Sequence, residues 1–234
     1  ASAMLYSLLY LFNFDDIKID DLKNFRQIHS KTAGHPEYGY LDGIESTTGP
    51  LGQGFATAVG MAIAQQKFQE EIGSDLFNNH TFVLVGDGCL QEGISFEAAE
   101  LAGHLKLSKL IAIYDNKDIT IDGKLSISCS SNTKIRFENH GWSVFECDGH
   151  NYNEIFKAIT KAKKDTTKPS MIICKTKIGF GSSKEGSEEV HGSPLKGDDI
   201  DILKKKLNIN YEKFEIPQDI LNFCHSITKQ NNDL

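Results

Sequence analysis

Thr81-Phe82-Val83-Leu84-Val85-Gly86-Asp87-Gly88 is the stretch that decides how this chain folds. Phe82 to Val85 is an unbroken apolar run, the pattern of a strand buried on both faces of a parallel sheet. It runs directly into two glycines that flank a carboxylate. Downstream, Glu92 to about His104 reads as a helix and Leu110-Ile-Ala-Ile-Tyr114 as a second buried strand. Trp142 to Phe145 supplies a third strand, Tyr152 to Lys164 an amphipathic helix, and Ser170 to Cys174 a fourth strand. Upstream lies a long helix from about Gln53 to Ile72, whose small residues Ala56, Ala58, Gly60, Ala62 and Ala64 permit close packing. A Gly, Pro and Thr-rich loop from Thr32 to Gly54 opens it. Before that loop, Ala3 to Phe12 reads as a buried helix inside which the chain begins, and Asp20 or Asp21 caps a helix through Ile28. Strands alternating with helices give the α/β class: a parallel sheet flanked by helices on both faces.

The remaining segments divide the chain. Asp198 to Leu207 is a short helix with an aspartate pair at its N-cap. The polar tail from Asn208, ending Lys229-Gln-Asn-Asn-Asp-Leu234, reads as a linker, so the expected domain is 1–207 and the expected linker 208–234. Composition narrows the function classes. Lys and Arg total 25 against 32 Asp and Glu, a net charge of -7 that argues against a nucleic-acid surface. The basic cluster Lys161, Lys163 and Lys164 sits near a helix end and reads as a solvated face. No apolar run approaches the ~18 residues of a membrane span, and the apolar start lacks the basic region of a signal peptide. Five widely spaced cysteines without a C-x-x-C pair fit reduced thiols in a cytoplasmic protein.

Ligands of open parallel sheets bind where loops leave the carboxyl ends of strands. Two such loops here carry polar groups. Gly86-Asp87-Gly88 lets backbone approach a ligand and aims a carboxylate outward. Asp115-Asn116-Lys117-Asp118 follows the neighbouring strand and leads into Ile119-Thr-Ile-Asp-Gly123. An Asp on one strand end and an Asn on the next can serve a hard divalent cation, which takes oxygen ligands; alone, G-D-G is more often a tight turn. Thr47-Thr-Gly-Pro-Leu-Gly-Gln-Gly54 opens a helix whose free N–H groups favour phosphate, although it is neither a Walker loop nor G-x-G-x-x-G. His35 and His191 lie in glycine-flanked loops and can donate hydrogen bonds or move protons. His29, His80, His104, His140, His150 and His225 read as ordinary surface or packed residues.

In order along the chain, Gly34-His-Pro-Glu37, Thr47-Thr-Gly-Pro-Leu-Gly-Gln-Gly54, Gly86-Asp-Gly-Cys-Leu-Gln-Glu-Gly93, Glu100-Leu-Ala-Gly-His-Leu-Lys-Leu107 and Val190-His-Gly-Ser-Pro-Leu-Lys196 resemble the transketolase family. The resemblance is to its first, diphosphate-binding domain. It implies a thiamine-diphosphate-binding fold, thiamine diphosphate with Mg²⁺ or Ca²⁺, and reversible transfer of a two-carbon ketol unit between sugar phosphates in the pentose phosphate pathway. The cofactor ring is then the electron sink, and the enzyme a cytoplasmic homodimer. By the same resemblance Asp87 is the metal carboxylate, Gly88 a diphosphate contact, and Ile119 the residue whose carbonyl completes the metal shell. Gly49, Pro50 and Leu51 form the cofactor cradle. His191 lies near diphosphate and substrate, His35 recognises the donor sugar, and Glu92 joins a proton-linked network across the dimer. Dihydroxyacetone synthase shares much of the pattern, and a catalytically impaired binding paralogue is the rival of another class.

The sequence departs from the family pattern in three places. The metal-binding Asn of the family falls two residues before Ile119, where this chain has Lys117, with Asn116 one residue early. A lysine ammonium cannot ligate a cation and repels it. Either a one-residue shift brings Asn116 to cofactor and metal, with Asp118 helping, or metal affinity is impaired; the first is the expectation. The family's Gly-His element would precede Ala1, and its pyrimidine-binding domain would follow the tail. The chain is therefore expected to be a fragment without ketol transfer of its own.

Overall fold

A computed structural model describes residues 2–14 and 16–232. Ala1, Asp15 and the last two residues of the expected linker, 233–234, lie outside the described residues. The helices are α1 (Ser2–Leu11), α2 (Ile19–Lys23), α3 (Gln53–Ile72), α4 (Gly93–His104), α5 (Thr133–Asn139), α6 (Tyr152–Lys164), α7 (Asp198–Lys206) and α8 (Gln218–Asn232). The strands are β1 (Thr81–Gly86), β2 (Leu110–Asn116), β3 (Ile119–Thr120), β4 (Gly123–Lys124), β5 (Ser143–Asp148) and β6 (Ser170–Lys175). Contacts group the chain into two units, residues 1–49 with 209–234 and residues 50–208.

The second unit is built on a parallel sheet in the order β1-β2-β6-β5. Its register is set by in-line pairs such as Val85↔Tyr114, Tyr114↔Ile173 and Cys147↔Cys174. One face carries α3 and α4, where Phe55, Val59, Ala62, Ala99 and Ala102 pack on Val85, Ala112, Tyr114 and Met171. Phe55, Ala58, Val59 and Ala62 fall at helical spacing, which gives α3 one buried stripe. Of its small residues Ala58 and Ala62 are buried, whereas Gly60 and Ala64 face solvent. The other face carries α6, whose Ala158 and Ala162 cover Ile111, Ile172, Cys147 and Cys174. Asn151 caps α6 by accepting from the Asn153 and Glu154 N–H groups.

Several sequence expectations change here. β1 is not buried on both faces: Phe82 is 48% and Leu84 62% exposed. α6 packs over β5 and β6, so the same face of the edge strand β1 stays uncovered among the described residues. β2 runs two residues further than read, because Asp115 and Asn116 pair with Cys174 and Lys175 of β6. The N-cap of α7 is Gly197, at φ 50°, and the aspartate pair occupies the first helical positions instead. There the carboxylates still complement the positive end of the helix dipole.

In the first unit, Tyr6, Leu9, Ile17, Leu41 and Ile44 form a separate core. α2 is shorter than the helix read from Asp20 to Ile28. Asp21 accepts from the Lys18 N–H as a capping side chain, and Arg26 and His29 at positive φ break any continuation. Residues read as a linker form α8, where Cys224 is buried and the Thr228 hydroxyl donates to the Phe12 carbonyl at 2.7 Å. No helix among the described residues is long and apolar enough to cross a membrane.

Cys147 and Cys174 face each other across β5 and β6 with Sγ atoms 3.5 Å apart. Burial pushes the Cys174 thiol up to about 12 and raises that of Cys147, whereas hydrogen bonds from Ser131 lower that of Cys129. Thiolate is the reactive form. Iodoacetamide at pH 7.5 is therefore expected to label Cys129 at least about tenfold faster than Cys147 or Cys174, read by peptide mass mapping. Equal rates would mean that the sheet opens at this edge.

Candidate functional site

A cleft of about 540 Å³ opens at the carboxyl ends of β1 and β2. Leu51, Asp87, Gly88, Glu92, Lys117 and His191 lie on its wall. Each arrives from a different connection. Leu51 lies two residues before the start of α3, next to its N-cap Gly52, and Asp87 and Gly88 leave β1. Glu92 is the N-cap of α4, its own carbonyl accepting from the Ser95 N–H at 3.0 Å. Lys117 leaves β2, and His191 ends a single 3-10 turn, Glu188–Val190, donating its backbone N–H to Glu188. The β3–β4 hairpin adds Thr120 and Ile121 to the rim.

The Asp87 carboxylate does not point outward into solvent, as read from sequence; its side chain is 1% exposed. Oδ1 accepts from the Tyr114 hydroxyl at 2.5 Å. Oδ2 is buried without a hydrogen-bond partner and lies 3.4 Å from Lys117 Nζ. Burial first, and then the bond to Asp87, hold the Tyr114 phenol well above its ordinary pKa. It therefore stays a donor across the physiological range. The same ammonium lies 3.5 Å from Asp115 Oδ2, and Asp115 Oδ1 accepts from the Thr176 hydroxyl.

Glycines keep this arrangement open. A Cβ on Gly86 would stand 3.2 Å from Lys117 Nζ, and one on Gly88 3.1 Å from Leu51 Cδ1. Side chains at these two positions would require the ammonium and Leu51 to give by a few tenths of an ångström. The cleft thus offers glycine backbone, one ammonium and a histidine, groups suited to a diphosphate.

Of the residues singled out from sequence, Leu51, Asp87, Gly88, Glu92 and His191 share this cleft. Asn116 does not line it: its Oδ1 is turned to the Tyr114 hydroxyl at 3.3 Å. Ile119 is buried in β3, and Pro50 is exposed beside Leu51. His35 and Gly49 belong to the first unit, where a Cβ on Gly49 would meet His35 Cγ at 3.2 Å, so ring and backbone are in close contact. Sequence reasoning missed Tyr114. The signal was available, since a tyrosine inside a fully apolar strand must find a partner for its hydroxyl.

The divalent ion implied by the resemblance does not fit this donor set. Asp87 Oδ1 is engaged by Tyr114, Oδ2 faces an ammonium, and the Asn116 amide oxygen is directed to Tyr114. A cation on Oδ2 would sit beside the positive charge of Lys117. Among the described residues no group of three or more His, Cys, Asp and Glu side chains is arranged to hold a metal.

Comparison with known proteins places this geometry. Residues 1–234 match the family model described as transketolase, thiamine diphosphate binding domain. The chain is 50% identical over 224 residues to Transketolase 1 of Pasteurella multocida, covering 94% of this chain and 33% of that protein. Against Transketolase 1 of Escherichia coli the identity is 48% over 224 residues, with 94% and 34% covered. The crystal structure of a transketolase from Campylobacter jejuni superposes with a TM-score of 0.94 at 46% identity, over 99% of this chain and 36% of that one. A Pichia stipitis transketolase in complex with sedoheptulose 7-phosphate gives 0.94 at 42% identity, over 98% and 35%. The chain spans about a third of the length of the curated relatives it matches.

Proposed function

The chain belongs to the transketolase family, and on that premise we propose that its cleft holds the diphosphate of thiamine diphosphate for two-carbon ketol transfer. The donor in this reading is a ketose phosphate such as xylulose 5-phosphate, and the acceptor an aldose phosphate such as ribose 5-phosphate. The observation that carries it is the convergence of Leu51, Asp87, Gly88, Glu92 and His191 on one cleft at the carboxyl ends of β1 and β2. When bound, the cofactor supplies the electron sink that C–C cleavage of a ketose requires. The residues of the chain do the rest. The Gly88 backbone and Lys117 hold the diphosphate, and Leu51 packs on the cofactor. His191 donates to phosphate or substrate oxygen, and His35 is assigned to recognition of the donor sugar. Glu92, exposed at the head of α4, fits a carboxylate that meets a second subunit in a homodimer.

We place the protein in the cytoplasm and in the pentose phosphate pathway, with residues 1–207 as the cofactor-diphosphate domain and 208–234 leading toward a pyrimidine-binding domain. The Lys117–Asp87 pair favours one second reading, a paralogue that binds sugar phosphates without turnover. In the full-length protein, His191→Ala is expected to lower kcat/KM for ketol transfer from xylulose 5-phosphate to ribose 5-phosphate by about 100-fold, the scale of a lost proton donor. Absence of transfer by the parent protein despite thiamine diphosphate binding would select the paralogue. Absence of thiamine diphosphate binding would reject the ketol-transfer reading.

A further inference from the structure

Lys117 sits where a positive charge is required. The buried Asp87 Oδ2 has no hydrogen-bond donor, and an unpaired buried carboxylate oxygen is costly. The Lys117 ammonium answers it at 3.4 Å, with the lysine side chain only 15% exposed. Gly86 leaves the space through which the ammonium reaches this point, since a Cβ there would stand 3.2 Å from Nζ. We propose that the Lys117 ammonium is the cation of this site, linking Asp87 to an incoming diphosphate in place of a divalent metal ion. The inference rests on the thiamine diphosphate reading above and specifies how that cofactor is held.

The charges around the group support this assignment. Asp87 and Asp115 face the ammonium directly, and Glu92 and Asp122 stand on the cleft wall. Among the described residues on that wall Lys117 is the one formally cationic group. An anion entering the cleft is repelled by the acids and must meet Lys117 to bind. An ammonium carries three N–H donors. Asp87 and Asp115 engage at most two of them, so one remains for a phosphate oxygen. A divalent ion, by contrast, would have to displace Lys117 from Asp87 and would find Asn116 turned to Tyr114.

The test is calorimetric titration of thiamine diphosphate into the full-length protein, in EDTA and in 5 mM MgCl₂ or CaCl₂, with Mn²⁺ binding followed separately by electron paramagnetic resonance. The parent protein is expected to bind thiamine diphosphate with a Kd that changes less than about threefold between EDTA and Mg²⁺, well short of a tenfold step. It should leave Mn²⁺ free in solution. Lys117→Met should weaken binding in EDTA by about 10- to 100-fold, the worth of a charge-assisted hydrogen bond. Lys117→Asn should become Mg²⁺-dependent and take up Mn²⁺. A parent protein whose affinity rises tenfold or more with Mg²⁺ would overturn the proposal while leaving the thiamine diphosphate reading intact. No binding under any condition would overturn both. The comparison within the parent protein needs no variant to fold.

Discussion

Gly103→Ala is expected to leave the protein largely unfolded, with no cooperative urea transition near that of the parent. Gly103 lies on α4 at its crossing with the turn that joins α5 to β5. A Cβ there would stand 1.6 Å from the His140 carbonyl oxygen and 2.8 Å from its carbon. Both are backbone atoms, so no rotamer change relieves the clash. The turn is pinned by bonds from the His140, Gly141 and Trp142 N–H groups back to Arg136, Glu138 and Phe137. Moving it drags Trp142, which is 2% exposed, stacks on Phe55 and donates its indole N–H to the Ala99 carbonyl at 2.8 Å. Overpacking costs about 1–3 kcal/mol in a yielding core, and loss of an aromatic anchor about 3–5 kcal/mol. Together these rival the ~5–15 kcal/mol that holds a whole domain. Gly60→Ala, also within a helix but with nothing within 4 Å of the new Cβ, is the control. It should hold or raise stability by up to about 1 kcal/mol. A Gly103→Ala protein with an unchanged midpoint would show that α4 and the α5–β5 turn are not in this close contact.

Much of this architecture could be read from local pattern, and the largest failures are non-local. The runs at Thr81, Leu110 and Ser170 announce strands because apolar continuity is a local property. Where β2 ends is not local: Asp115 and Asn116 extend the strand only because β6, more than 50 residues away, offers Cys174 and Lys175 as partners. α8 was hidden for a similar reason. Its sequence is polar, and the stripe through Ile220, Cys224 and Thr228 has meaning only against α1, whose neighbour Phe12 accepts from Thr228. At the site, Asp87, Gly88, Leu51, Glu92 and His191 were legible through a family pattern. The resemblance also marked Lys117 as anomalous. What it could not show is that Tyr114 claims one oxygen of Asp87 and turns Asn116 inward while Lys117 faces the other. That is a three-dimensional competition among groups on two strands.

Gly52→Ala should damage fold and site together, lowering stability by about 2–5 kcal/mol and thiamine diphosphate affinity and turnover by about 100-fold. Gly52 is the N-cap of α3 at φ 82°, a left-handed conformation that an L side chain adopts at a cost. Space is also lacking. A Cβ there would meet Ile94 Cγ2 at 2.7 Å, Glu92 Cβ at 2.9 Å and Ser95 Oγ at 3.0 Å, all at the start of α4. Ser95 cannot swing away freely, because its hydroxyl donates to the Cys89 carbonyl at 2.6 Å in the segment that follows Gly88. Gly52 therefore sets the spacing between Leu51, beside it at the head of α3, and Glu92 at the head of α4, both of which line the cleft. The smallest added side chain forces the starts of α3 and α4 apart. Gly73→Ala separates the two contributions. Gly73 follows the far end of α3 at φ 123°, with nothing within 4 Å of its Cβ position. It should therefore show a conformational penalty and no loss of cofactor binding, as a 20-residue helix puts it about 30 Å from the cleft. Urea midpoints together with thiamine diphosphate titrations on both variants decide the matter. If both lose stability and only Gly52→Ala loses the cofactor, the contact between the starts of α3 and α4 is what shapes the site. If Gly52→Ala binds thiamine diphosphate as tightly as Gly73→Ala does, the cofactor does not depend on that spacing.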